Sequence, residues 1–216
     1  MIITTNAGHT PTSPGAGALL NEVACNRPLR DQVNDELRRR GHEVYDCTAP
    51  DDMGYPDELD RQVCIANESG ATLAVSMHLN AGGGTGPEVL YWDGDDHGRA
   101  LAAKISANLA RALGLPDRGA KAPDDDLAFL RDTGMTALIV EACFVDSPED
   151  KEAWDRTSWA DIAAAIADGI EGKDWAKPAA PAPSPEPTPE PAPEPEHGCN
   201  ETTHVVKPGD TIIIGK

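Results

Sequence analysis

The sequence is poor in several features that define whole classes of protein. Only 18 of its 216 residues are Lys or Arg, against 37 Asp or Glu, which gives a net charge of −19. A nucleic-acid-binding protein needs a basic face to replace the counterions on phosphate, and adsorption to anionic lipid also needs positive charge. The scarcity of basic residues therefore disfavours both functions. The acidic excess is compatible with a soluble enzyme, but it identifies no substrate.

Long apolar runs and a targeting segment are also missing. No stretch of 18 or more apolar residues exists, so we expect no transmembrane helix and no membrane insertion. The N-terminal residues lack a basic segment followed by an apolar run, which argues against a signal peptide. We therefore expect the protein to be made in the cytoplasm and to stay there unless something else releases it.

Cysteine and aromatic residues are few. The five cysteines are odd in number and form no CxxC pair, which argues against a disulfide framework and against a thiolate zinc site. We expect most of them to be small buried residues in a reducing compartment. The few aromatic side chains (4 Trp, 3 Tyr and 2 Phe) leave no obvious platform for stacking on sugars.

What the sequence does contain is an alternation of strand and helix patterns. The predicted strands are residues 2–5, 43–47, 73–77, 87–92, 127–130 and 136–140. Helices are predicted from Leu29 to the stop at Gly41, and over residues 55–69, 97–113 and 149–170. Pro28 either kinks the first helix or marks a second helix that starts near Asn26. The alternation predicts an α/β fold in which a mostly parallel sheet is flanked by helices.

The composition changes at Pro178. From residue 178 to residue 195, every second or third residue is proline, with Ala and Glu between. Such a segment cannot form a core, and it is typical of a stiff polyproline II linker that would span roughly 56 Å at about 3.1 Å per residue. We therefore predict one domain over residues 1–175, a linker over residues 176–200, and a final segment, residues 201–216, that is too short to fold alone.

Four residues are candidates for a catalytic site: His9, Glu22, His78 and Glu141. Three of them follow predicted strands, and Glu22 lies early in the first helical segment. In a parallel sheet all four can converge at the carboxyl ends of the strands, where open α/β sheets bind their ligands. Two histidines and one glutamate are a ligand set of catalytic zinc, which lowers the pKa of its water to about 7. A second carboxylate that does not bind the metal can then transfer a proton.

Taken singly, each of these residues has an ordinary explanation. A histidine after a strand is more often a hydrogen-bonded loop residue than a metal ligand, and Glu22 would usually lie on a solvated helix face. Glu141 directly follows an apolar run, where a charge is costly to bury, so it is either a surface residue at a strand end or functional. Spacing alone does not decide between these alternatives.

Seven short segments carry more information through their order than any of them carries alone. They are Asn6-Ala7-Gly8-His9, Asn21-Glu22, Leu59-Asp60-Arg61 with Ala66-Asn67, Val75-Ser76-Met77-His78-Leu79-Asn80, Arg118-Gly119, Leu130-Arg131 and Val140-Glu141-Ala142-Cys143-Phe144-Val145. In this order, residues 2–170 resemble the zinc-dependent N-acetylmuramoyl-L-alanine amidases of the Amidase_3 type. The resemblance implies a twisted, mostly parallel sheet between helices. It also implies that zinc (Zn²⁺) is bound by His9, Glu22 and His78, and that Glu141 is the catalytic glutamate.

Two positions depart from the family pattern. Thr10 follows His9 where the family usually has glycine, and Cys143 stands where it often has glycine. Neither replaces a ligand, but we expect Thr10 to narrow or re-aim the substrate cleft, and Pro28 leaves the placement of Glu22 open. In the tail, residues 203–212 resemble the opening of a LysM peptidoglycan-binding module, which needs several times this length.

The resemblance implies a peptidoglycan hydrolase that cleaves the amide between N-acetylmuramic acid and the L-alanine of the stem peptide. Asn80 and Arg131 are the candidate substrate contacts. We expect peptidoglycan as the partner, no nucleic acid, and a monomeric chain that acts on the cell wall like an endolysin after release by a holin. The alternatives are another zinc-dependent stem-peptide peptidase or carboxypeptidase, and an inactive cell-wall-binding module.

Overall fold

The computed structural model describes residues 1–123 and 127–176, and within them a six-stranded sheet carries helices on both faces. The strands are β1 (Ile2–Ala7), β2 (Glu43–Asp46), β3 (Leu73–Asn80), β4 (Glu88–Tyr91), β5 (Ala120–Lys121) and β6 (Thr136–Phe144). The helices are α1 (Glu22–Arg39), α2 (Asp57–Glu68), α3 (Asp96–Leu113), α4 (Ala128–Asp132), α5 (Pro148–Arg156) and α6 (Trp159–Ile170). The predicted α/β fold class is confirmed.

The sheet is mostly parallel, with one reversal. Its strand order is β2-β1-β3-β6-β4-β5. Strands β1, β2, β3 and β6 run parallel, whereas β4 runs antiparallel to β6. A parallel connection needs a crossover of a dozen or more residues, and the loop between β3 and β4 is shorter than that. The chain therefore returns in the opposite direction, and this reversal pairs Glu88 of β4 with Glu141 of β6.

The central strands send their side chains alternately into two apolar clusters, one on each face of the sheet. Val75 of β3 and Val140 of β6 belong to the larger cluster, which also holds the buried faces of α1, α3 and α6. Ala74 and Ile139 belong to the smaller cluster, which packs against α2 and α4. Because successive strand residues point to opposite faces, a side chain's position in the strand decides which cluster it joins.

Side-chain caps set the start of several helices. Asn21 accepts a hydrogen bond from the Ala24 N–H at 3.0 Å at the start of α1, and Asp95 accepts one from the Gly98 N–H at 2.8 Å at the start of α3. Gly114 ends α3 in the left-handed region, with φ 70, as its role as a stop predicts. The helix predicted over residues 97–113 is confirmed, since α3 starts one residue earlier and ends at the same residue.

Two sequence predictions of secondary structure are wrong. Residues 127–130, predicted as a strand, form the cap and first turn of α4, because a short apolar run does not distinguish a strand from a helix. Phe129 and Leu130 bury their side chains against the smaller cluster from this helix. The single helix predicted over residues 149–170 is two helices, because Ser158 accepts a hydrogen bond from the Asp161 N–H at 3.1 Å and starts α6 anew.

Helix α1 runs through Pro28 without a second start near Asn26. Proline removes one backbone hydrogen bond from the helix, but Leu29, Val33 and Leu37 are fully buried on the face that packs in the larger cluster. This burial keeps the helix continuous, and Glu22 remains its first residue. The open question about the placement of Glu22 is thereby answered.

Several predictions concern other parts of the chain. No helix in residues 1–123 and 127–176 is both long enough and apolar enough to cross a membrane. Cys25, Cys47 and Cys143 are buried, as expected, whereas Cys64 is exposed. The predicted linker from residue 177 onward and the LysM-like segment lie outside the described residues.

Candidate metal centre

His78 and Glu141 lie side by side on the face of the sheet that carries α2 and α4. They are direct partners in the pairing of β3 with β6, and the two-residue period places them on the same face as Ala74 and Ile139. Both residues lie inside their strands rather than after them, because β3 and β6 extend further than the sequence predicts. The strand register shifts directly beyond His78, an irregularity that is over-represented next to active sites.

The first histidine is held in an uncommon backbone conformation. His9 follows β1 and has φ 65, in the left-handed region that residues other than glycine seldom adopt and that recurs at functional sites. The Gly8 N–H donates to the Met77 carbonyl at 2.8 Å and so ties this loop to β3. The His9 and His78 rings meet edge to face, with centroids 5.0 Å apart.

Glu22 lies between the two histidines. Its Oε2 is 3.5 Å from His9 Nε2, and its Oε1 is 3.3 Å from His78 Nδ1. The Leu79 N–H donates to Oε1 at 3.1 Å and the Ala16 N–H donates to Oε2 at 2.6 Å, so backbone groups orient the carboxylate. Burial raises the pKa of Glu22, but the hydrogen bonds from His78 and from the Ala16 amide outweigh it and lower the pKa overall. Glu22 therefore remains ionised.

These three side chains fit a zinc ion in both donor chemistry and spacing. One ligand atom from each of His9, Glu22 and His78 lies within 4.8 Å of the others. A tetrahedral zinc site with ligand bonds of about 2.0–2.2 Å separates its ligand atoms by about 3.4 Å. The two histidine nitrogens lie at 3.5 Å and 3.3 Å from different oxygens of the Glu22 carboxylate, separations of the same size. Burial and the neighbouring His78 lower the pKa of His9, so its neutral imidazole has a lone pair to coordinate. Catalytic zinc sites use three protein ligands and leave the fourth position to water.

Glu141 stands apart from the ligand group but lines the same cavity. This cavity has a volume of about 290 Å³, and its walls include His9, His78 and Glu141. The Glu141 Oε2 atom is buried and has no hydrogen-bond partner among the described residues. Burial raises the pKa of Glu141 to about 7; His78 opposes this rise, and the carboxylates of Glu22 and Glu88 add to it. A carboxyl group with this pKa can both accept and donate a proton near neutral pH.

Helix α2 contributes two cavity residues that the sequence analysis missed. Glu58 and Gln62 are buried and line the cavity, and Asn6 of β1 donates to Gln62 Oε1 at 3.0 Å. Their four-residue spacing was a signal that they share one helix face, but it did not show that this face points at the site. Arg61, which the family resemblance had included in its helix motif, is exposed instead.

The two candidate substrate contacts lie outside the cavity wall. Asn80 donates from its side chain to Glu88 Oε1 at 2.7 Å and accepts from the Ala81 N–H at 2.8 Å. Arg131 lies on α4 and forms an ion pair with Asp132 at 2.6 Å. Neither is among the described residues that line the cavity, so any contact with substrate would be made beyond it.

Thr10 supports the loop that carries His9. It is fully buried, donates from its hydroxyl to the Met53 carbonyl at 2.6 Å, and accepts from the Ser13 N–H at 3.1 Å. Thr10 is not among the described residues that line the cavity, so the expectation that it narrows or re-aims the cleft stays a prediction, with the His9 loop as the route of its effect. Cys143 likewise lies away from the cavity, buried in the larger apolar cluster.

Gly8→Ala is expected to weaken zinc binding by roughly 10- to 100-fold, the effect of disturbing the support of a metal ligand. A Cβ atom at residue 8 would lie 2.1 Å from His78 Cε1 and 2.2 Å from Nε2, so the ring would have to move. Competition with a chromophoric chelator measures the affinity. Gly17→Ala is the matched control, because a Cβ there meets only Asn21 at an ordinary 3.5 Å. Equal affinities in both variants would contradict the close packing of Gly8 on the ligand.

Three side chains that could hold a metal ion, beside a carboxylate outside their group and on an open α/β sheet, have the arrangement of a hydrolytic metal site. The sequence matches the Amidase_3 family, described as N-acetylmuramoyl-L-alanine amidase, over residues 3–172. The chain belongs to this family, as the order of its short motifs predicts.

Similar proteins include cell-wall amidases and endolysins. The chain is 30% identical to the endolysin of Bacillus phage SPP1 over 175 residues, which are 76% of this chain and 63% of that protein. It is 32% identical to the sporulation-specific N-acetylmuramoyl-L-alanine amidase of Bacillus subtilis over 115 residues, which are 52% of this chain and 44% of that protein. Among solved structures, the catalytic domain of the CD27L endolysin, described as targeting Clostridia difficile, matches with a TM-score of 0.74 and 29% identity, and the match covers 82% of this chain and 99% of that one.

The chain spans about half the length of the curated relatives that it matches first, with 52% and 51% of their lengths covered in two proteins of Clostridium perfringens.

Proposed function

We propose that the protein is a zinc-dependent N-acetylmuramoyl-L-alanine amidase that cleaves the amide between the lactyl group of N-acetylmuramic acid and the L-alanine of the stem peptide. The observation that carries this proposal is the His9–Glu22–His78 donor set beside Glu141 in a chain of the Amidase_3 family. Its relatives include proteins named as an N-acetylmuramoyl-L-alanine amidase and as an endolysin, and these names support cleavage of this amide bond.

Each site residue has a separate part in this reaction. His9, Glu22 and His78 hold the metal, and the two backbone amides on Glu22 fix the direction of its carboxylate. Zinc, when bound, supplies a Lewis acid for the scissile carbonyl and lowers the pKa of water. Glu141 accepts a proton from the attacking water and delivers it to the leaving nitrogen of L-alanine, a step for which its pKa of about 7 suits it.

The place of action follows from the same proposal. The substrate is peptidoglycan, so the enzyme acts on the bacterial cell wall, and the likeness to an endolysin supports this place of action. Release by a holin remains the proposed route to it. Asn80 and Arg131 remain proposed contacts to the parts of the substrate outside the cavity. A monomer remains the proposed state.

Mass spectrometry of digested sacculi, with and without a chelator, tests the proposal. We expect released peptides with a new N-terminal L-alanine, and we expect the chelator to abolish their release. New free C-terminal amino acids would instead identify a peptidase or carboxypeptidase, and binding to sacculi without any release would identify an inactive wall-binding module. Digestion that survives complete metal removal would rule out the zinc mechanism.

A further inference from the structure

Glu58 is a buried carboxylate that the proposed mechanism does not use. It is the second residue of α2, only 6% exposed, and its Oε2 atom is buried without a hydrogen-bond partner among the described residues. Burying a carboxylate oxygen without a hydrogen-bond donor is unfavourable. Glu58 therefore presents to the cavity an acceptor that a donor on a bound ligand would satisfy.

The position of Glu58 directs this acceptor toward the reaction site. It lines the same cavity as His9, His78 and Glu141, and it acts electrostatically on both histidines. It does not belong to the group of ligand atoms that can hold the metal. Glu58 is therefore placed to contact a ligand bound in the cavity rather than to bind the metal.

The remaining wall of the cavity is largely apolar. Its aliphatic and phenylalanine side chains are Leu59, Leu90, Leu127, Ala128, Phe129 and Ile139. The polar side chains Gln62 and Ser76 already accept hydrogen bonds from Asn6. Two carboxylate oxygens of the described wall, Glu58 Oε2 and Glu141 Oε2, lack a hydrogen-bond partner, and the proposed reaction uses only Glu141. Glu58 is the acceptor left over, and an apolar wall with such an acceptor suits a ligand that combines an apolar part with an N–H donor.

We propose that Glu58 selects the stem peptide by accepting a hydrogen bond from an uncharged carboxamide and disfavouring a free carboxylate in the same place. This inference rests on the proposed function. The residue that follows L-alanine in stem peptides offers this choice, because it carries its α-carboxyl group either free, as D-glutamate, or amidated, as D-isoglutamine. A carboxamide supplies the missing donor, whereas a second carboxylate would meet a like charge in a partly water-excluded site.

Two soluble substrates that differ only in this group test the proposal: N-acetylmuramoyl-L-alanyl-D-isoglutamine and N-acetylmuramoyl-L-alanyl-D-glutamate. We expect the zinc-loaded protein to have a kcat/KM roughly 10- to 100-fold higher for the carboxamide, the effect of one hydrogen bond to a charged group. Glu58→Gln should bring the ratio close to one. Asp57→Asn, which removes an exposed carboxylate from the same helix turn, should leave the ratio unchanged.

Other outcomes separate this inference from the proposed function. A ratio that is equal in the wild type and in Glu58→Gln, or a wild-type preference for the free carboxylate, would overturn the role of Glu58 and leave the amidase proposal intact. If neither substrate is cleaved, calorimetric binding of both muropeptides to Glu141→Gln, with and without Glu58→Gln, decides the matter without turnover. We expect an unchanged zinc content in Glu58→Gln; a loss of zinc would mean that Glu58 supports the metal instead.

Discussion

Glu141→Gln is expected to lower turnover by about 10²–10⁴-fold, the usual contribution of a positioned general acid–base group. Glutamine has nearly the shape of glutamate, so the strand pairing of β6 and the cavity should be preserved. It cannot accept the proton of the attacking water, and that proton then has no positioned acceptor. The variant should keep about one zinc ion per chain, because Glu141 is outside the ligand group.

Rates of release of L-alanyl peptides, zinc content by mass spectrometry and melting temperature are the three measurements for this variant. Glu149→Gln is the matched control, since it removes an exposed carboxylate shortly after the same strand. The control should retain wild-type turnover. Turnover of Glu141→Gln near the wild-type level would remove Glu141 from the mechanism, and loss of zinc would mean that it is a ligand.

Asp150→Ala is expected to lower the free energy of unfolding by about 2–6 kcal/mol, because it leaves two buried backbone N–H groups without an acceptor at about 1–3 kcal/mol each. Asp150 is fully buried, and its Oδ2 accepts from the Gly86 N–H at 2.9 Å and the Phe144 N–H at 2.7 Å. Its Oδ1 accepts from the hydroxyls of Ser147, at 3.0 Å, and Thr85. Removing the carboxylate leaves these donors, two of them backbone N–H groups, without an acceptor.

Urea denaturation measures this effect, and Asp146→Ala is its control. Asp146 also accepts from two backbone amides, those of Gly82 at 3.0 Å and Gly83 at 2.9 Å, but it is exposed. Water can replace its hydrogen bonds, so we expect a clearly smaller loss of stability there than in Asp150→Ala. Similar losses in the two variants would show that burial is not the reason for the importance of Asp150.

Hydrophobic periodicity predicts most of the fold, and it fails where a segment is short. The pattern through Leu29, Val33 and Leu37 is long enough to specify a helix even across Pro28. Residues 127–130 contain too few positions to show a period, and only the packing of Phe129 on the smaller cluster decides for a helix. The direction of β4 depends on the length of the preceding loop and on its pairing with β6. No local sequence pattern predicts that pairing.

The site residues also differ in whether a local motif or a contact between distant segments identifies them. His9, Glu22 and His78 belong to short motifs whose order identifies the family, so the ligand group could be proposed from the sequence. Glu58 belongs to no such motif. In sequence it looks like an ordinary glutamate early in a helix, which is usually exposed. Its burial results from the packing of α2 against the sheet, and this contact between distant segments is visible only in the structure.

The separation of the two apolar clusters has a practical consequence for redesign of the enzyme. Helix α2, which carries Glu58 and Gln62, contributes no residue to the larger cluster. A library of substitutions at cavity-facing positions of α2 can therefore vary substrate preference while the packing that holds α1, α3 and α6 together stays constant. Under the proposed function, selection on cell walls of different chemical composition would then separate the variants by substrate preference.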